Sequence, residues 1–207
     1  ALFFSMVMFV TFGYSQNLMT NGDLESWVDD NNPSAWDKAE SISKEATEIH
    51  GGSFSAAHQS ADGTQDFQQN VAGVIGGQQY TISYFYKDND AMARTRIWAY
   101  WLEGESTLAD NEGELRPNMY SEDNADWQEF STTLVAPATA DGFRFEVRVY
   151  KQDGEAGGKV YYDDFSVEGA TTNDPEPTNY PANFTATASG LSVNLGWTDS
   201  DGEQLPS

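Results

Sequence analysis

The stretch KVYYDDFSVEG, Lys159–Gly169, decides the fold. Val160, Tyr161, Tyr162, Phe165 and Val167 are β-branched or aromatic, the types that suit a pleated, half-buried surface, so the stretch reads as a β-strand. Two aspartates, Asp163 and Asp164, interrupt it. Successive strand residues point to opposite faces, so one carboxylate faces the core side. Asp163 shares parity with Phe165 and Val167, and Asp164 with Tyr162 and Ser166. With Phe165 and Val167 on the core face, Asp163 is the inward carboxylate and Asp164 the outward one. Burying a carboxylate is costly unless it accepts hydrogen bonds or ligates a cation. Two readings stay open: a carboxylate accepting backbone N–H groups at a strand end, or one oxygen donor to a hard cation such as calcium.

The residues before it carry the same strand pattern. In GGQQYTISYFYKD, Tyr80, Ile82, Tyr84 and Tyr86 alternate with Thr81, Ser83, Phe85 and Lys87. In GFRFEVRVYK, Phe143, Phe145, Val147 and Val149 alternate with Arg144, Glu146, Arg148 and Tyr150. DFQQNVAGV, ARTRIWAYWLEG and DWQEFSTTLVAP are further strands, and SISKEATEIHGGSFS holds strands rather than a helix. Short antiparallel strands separated by turns imply an all-β fold, a two-sheet antiparallel jelly-roll sandwich over residues 16–169. Glu103–Trp127 is a long acidic connection without the Asp-x-Asp-x-Asp-Gly spacing of a calcium loop, and it reads as a solvated loop.

The flanks differ. ALFFSMVMFVTFGYSQ is uncharged and apolar, with Gly13 and Ser15 as small residues before Gln16. Residues 1–15 therefore read as a signal peptide whose basic start is missing, and the protein as secreted or displayed at the cell surface. The apolar run is short for a membrane span, so no membrane insertion is expected after cleavage. Residues 170–181, ATTNDPEPTNYP, form a Pro-rich linker. Residues 182–207 resemble the first strands of a fibronectin-type-III module that stops before it could bury a core. The expected protein is thus multidomain.

The chain has 207 residues and a net charge of −23, from 33 acidic and 10 basic residues. Such a surface repels nucleic acid and anionic polymers, and it suits neutral glycans or cations. There is no cysteine, and the only histidines are His50 and His58. No nucleophile elbow, zinc-protease helix or phosphate loop is present, so this segment is expected to be non-catalytic.

Motif order adds a resemblance. NLMTNGDLESW, PSAWDKAESISKEATEIHGGSFSA, QQNVAGVIGGQQYTISYFYK and the late VYYDDFSVEG resemble carbohydrate-binding modules of the galactose-binding-like jelly-roll superfamily, the cellulose- and xylan-binding type. The resemblance covers nearly all of residues 17–169. It implies a structural calcium held by Glu25, the Gly51 and Gly52 backbone, and Asp163, joining the start of the module to its end. It also implies a monomeric module with a polysaccharide or glycan as partner.

Sugar binding needs aromatic faces to stack on and polar groups to pair with hydroxyls. Arg96, Trp98 and Tyr100 share one strand face, and Arg148 and Tyr150 share the non-core face of another. If both line one concave sheet, these five converge on a cleft. Five of the ten basic residues, Arg94, Arg96, Arg144, Arg148 and Lys151, lie in these two strands. Cross-strand Arg–Glu and Arg–Tyr pairs on a solvated sheet would give the same pattern. Trp27, Trp36 and Trp127 read as covers of the core edges. The expected function is a non-catalytic carbohydrate-binding module. The alternatives are a structural or adhesion spacer, marked by Arg–Glu pairs closed on themselves, and an accessory domain of a secreted hydrolase such as a glycosidase, nuclease or peptidase.

Overall fold

The computed structural model describes residues 16–61, 63–152, 157–169, 182–189 and 192–198. The expected signal peptide and linker lie outside these residues. Two antiparallel sheets make the sandwich. The first runs β12 (Gln128–Val135), β8 (Gln79–Lys87), β14 (Lys159–Gly169), β6 (Ser55–Gln59), β5 (Ile42–Glu45), with β1 (Gln16–Asn17) also on β14. The second runs β11 (Ser106–Thr107), β10 (Tyr100–Glu103), β13 (Gly142–Lys151), β7 (Thr64–Ala72), β4 (Lys38–Ala39), with β9 (Ala93–Ile97) also on β13. A small hairpin, β2 (Trp27–Asp29) with β3 (Asn32–Pro33), and a four-residue helix α1 (Glu112–Leu115) complete this unit. The architecture is the expected all-β jelly-roll sandwich. Among the described residues no helix is long and apolar enough to cross a membrane.

The alternating patterns build the core. Tyr80, Ile82 and Tyr84 of β8 face Phe143, Phe145, Val147 and Val149 of β13, and all are buried. Aromatic edges join the two sheets: Tyr84 meets Phe145 at 5.8 Å and Phe145 meets Phe165 at 5.2 Å, both T-shaped. Trp36 covers this core from the side, stacked at 3.7 Å on Phe67. Trp27 also packs against it, whereas Trp127 meets the His50 ring edge-on at 5.6 Å. The stretch ARTRIWAYWLEG is not one strand. Trp98 and Ala99 part β9 from β10, and both pieces pair with the same edge of β13.

The acidic connection is only partly solvated. Its carboxylates are exposed, but Leu115 is buried in the core cluster. Arg116 is buried beside Leu115, donating to the carbonyls of Ala99 and Ala109. In a separate unit, β15 (Ala182–Ser189) pairs antiparallel with β16 (Ser192–Thr198). A two-stranded hairpin is what the fibronectin-like reading needs at its start, and many β folds share it.

Candidate functional site

The two aspartates of β14 fall on a β-bulge. Pairing with β8 shifts between Asp163 and Ser166, and Asp164 has φ 49°, the left-handed region that Asp tolerates better than most residues. The bulge resets the parity. Tyr162 and Phe165 are both core residues, although alternation would put them on opposite faces. Asp163 pairs with Phe85 and so lies on the outer face of its sheet. The expectation of an inward Asp163 is therefore corrected: it is fully buried, but beneath the loop after β5 rather than between the sheets.

That loop meets both predicted carboxylates. Asp163 Oδ2 accepts the N–H of His50 at 3.0 Å and of Gly51 at 3.1 Å, and Oδ1 accepts that of Asp164 at 2.9 Å. Glu25 Oε1 accepts the N–H of Ser53 at 2.8 Å and of Phe54 at 3.0 Å. Gly52, at φ 65°, is pressed on Glu25; a Cβ there would sit 2.2 Å from Oε1. The His50 ring stacks on Phe85 at 3.6 Å and meets Asp164 Oδ2 at 2.6 Å through Nδ1. Burial pushes the Asp163 carboxyl up to about 6, against the N–H groups of Gly51 and His50 that favour its charge.

The residues named for calcium are thus brought together, but by N–H donors. Calcium takes several oxygen ligands, and here Asp163 has donors on both oxygens. Among the described residues no group of three or more acidic, His or Cys side chains gathers as a cation cage. As arranged, the junction fits the other reading of Asp163, a carboxylate accepting backbone N–H groups.

The second cluster lies on the outer face of the other sheet. Arg96 of β9 pairs directly across from Arg148 of β13, a like-charge juxtaposition that needs compensation. Aromatic rings supply it for Arg96. Its guanidinium lies 4.5 Å from the Trp98 ring centre, 4.5 Å from Tyr120 and 5.0 Å from Tyr150. Its Nε donates to Tyr150 Oη and its Nη1 to the Pro117 carbonyl. Arg148 lies over Trp98 at 4.6 Å and pairs through Nε with Glu146 at 2.5 Å and Asp66 at 3.1 Å. Burial raises the Glu146 carboxyl, and Arg148 pulls it back.

Four of the five predicted binding residues, Arg96, Trp98, Arg148 and Tyr150, therefore meet. Tyr100 packs instead under Arg116, 4.2 Å from ring centre to guanidinium. Tyr120 and Asp66 belong to this face and were not predicted. Asp66 sits opposite Arg148 in the β7–β13 register, which only a pairing of those strands would have disclosed. Tyr120 arrives on the acidic connection, where no periodicity marks an inward or outward position.

No protein-family model matches the chain, and no curated protein matches it. Similar solved structures include carbohydrate-binding modules of families 16, 61, 4 and 22. A "Family 16 Carbohydrate Binding Module-2" is 18% identical, covering 73% of this chain and 99% of that one, with a TM-score of 0.48. A CBM4 module is 22% identical, with coverages of 72% and 98% and a TM-score of 0.45. The enzymatically active domain of tailspike protein 4 of bacteriophage CBA120 is 11% identical, covering 74% of this chain and 21% of that one, with a TM-score of 0.52. At such identities the likeness is one of fold.

Proposed function

We propose that this chain is a non-catalytic carbohydrate-binding module that takes a neutral polysaccharide on the outer face of the β9–β13–β7 sheet. The observation that carries the reading is the convergence of Arg96, Trp98, Arg148 and Tyr150 with Tyr120 on that face. Aromatic rings beside guanidinium donors are the combination that sugar rings and hydroxyls need. Tyr100 extends the same face toward Arg144, its cross-strand neighbour. The net charge of −23 favours an uncharged polymer over a polyanion. Secretion from residues 1–15 is part of this proposal, since such polymers lie outside cells.

One observation favours the spacer reading. Arg148 is closed on Glu146 and Asp66, the self-satisfied pairing that a sheet without a ligand would keep. A glycan array separates the two, with Trp98→Ala beside the wild type. Binding to at least one neutral glycan, weakened roughly tenfold or more by Trp98→Ala, supports the module. No binding to any glycan leaves the spacer.

A further inference from the structure

We propose that Tyr120 supplies the sugar-stacking surface of this face, and that Trp98 acts as the seat on which the arginines are held. This rests on the glycan-binding reading of the same face. A sugar ring stacks only on an aromatic face that is not already covered. Trp98 carries the guanidinium groups of both Arg96 and Arg148, 4.5 and 4.6 Å from its ring centre. Tyr100 lies against Arg116 at 4.2 Å. Tyr150 lies against Arg96 at 5.0 Å and meets Tyr120 at 4.9 Å in a T-shaped contact. Tyr120 also touches Arg96, yet it is 44% exposed, whereas Trp98, Tyr100 and Tyr150 are all part-buried. It is the most exposed residue of the four.

Openness without order would make a poor platform, because immobilising a loose side chain costs affinity. The backbone around Tyr120 is fastened. Arg96 Nη1 donates to the Pro117 carbonyl at 2.8 Å. Ser121 N donates to the Thr95 carbonyl at 2.9 Å, and Thr95 N donates to Ser121 Oγ at 2.8 Å. Ser121 Oγ in turn donates to the carboxylate of Asp88, which is fully buried. The chain on either side of Tyr120 is thus tied to β9, and a sugar on its ring would lie beside Arg96.

The test is native affinity electrophoresis of the full chain in gels containing xylan, hydroxyethylcellulose or β-1,4-galactan. The wild type is expected to be retarded in at least one gel. Tyr120→Ala should weaken that binding roughly fivefold or more, and Tyr120→Phe, which keeps the ring, should recover it. Thermal melting accompanies each variant, and an exposed position predicts midpoints near that of the wild type. If the wild type is retarded and Tyr120→Ala equally so, the assignment of Tyr120 fails and the glycan reading stands. If Tyr120→Phe is as weak as Tyr120→Ala, the hydroxyl rather than the ring is the contact, and stacking is overturned. If the wild type is retarded in none of the three gels, the glycan reading of this face falls and the Tyr120 assignment with it.

Discussion

His58 lies between the two sheets, paired in register with Val160 and Ile42, and neither ring nitrogen has a hydrogen-bond partner in the described structure. The edges of Phe67 and Tyr162 approach it at 6.2 and 5.7 Å. Burial drives its pKa down to about 3, against the pull of the Glu40 backbone and the Asp66 carboxylate. The unfolded chain takes up this proton below about 6.5, while the folded chain refuses it until about 3. Between those values the unfolded state binds more protons, so stability falls as pH falls. Asp163 and Asp88 act in the opposite sense. Burial raises both to about 6, so their contribution is present below about 4 and is lost as pH rises toward 6. His58→Phe removes the histidine's share. Urea titrations at pH 7 and pH 4 should show the variant gaining about 3 kcal/mol on wild type between the two. An equal difference at both pH values would mean that His58 is not held neutral by the fold.

At the scale of elements, the alternation in β8 and β13 was legible because period-two patterning is a direct consequence of strand geometry. The bulge in β14 was not. Parity counting assumes an unbroken ladder, and a single left-handed residue at Asp164 defeats it. The bulge also frees the backbone of Phe165, and the first residues of the module take it up. Phe165 N donates to the Gly22 carbonyl at 2.8 Å, and Asn17 Nδ2 donates to the Phe165 carbonyl at 3.0 Å. Gly22 is required there, because a Cβ would sit 2.2 Å from the Phe165 oxygen. Gly22→Ala should cost about 2–4 kcal/mol through backbone displacement, read as a lower urea midpoint with unchanged slope. A midpoint equal to wild type would show that the segment can move aside at no cost.

Over the whole molecule, the module's start and end meet through Glu25 and Asp163, both held by the loop at residues 50–54. The motif order placed an ion between them; in the structure Glu25 Oε1 and Asp163 Oδ2 accept N–H groups of residues 50–54, and Asp163 Oδ1 accepts that of Asp164. Which group satisfies a carboxylate depends on how a loop closes, and local residue types do not encode that. A chelator such as EDTA should therefore leave the melting midpoint where it is. A midpoint that falls on chelation and returns with calcium would put an ion at the junction. The face carrying Arg96 and Trp98 was half legible for the same reason: strand residues announce their face, whereas Tyr120 and its fastening to Thr95 depend on the path of a long connection. The pairing of Gln16 with Gly169 has a mechanical consequence. These two residues lie side by side on antiparallel strands, so a force pulling them apart loads the β1–β14 contacts one at a time, as in opening a zip, instead of shearing a whole strand at once. Pulled between tethers fixed at Gln16 and Gly169, this module should yield first at that seam, at low force and in small steps.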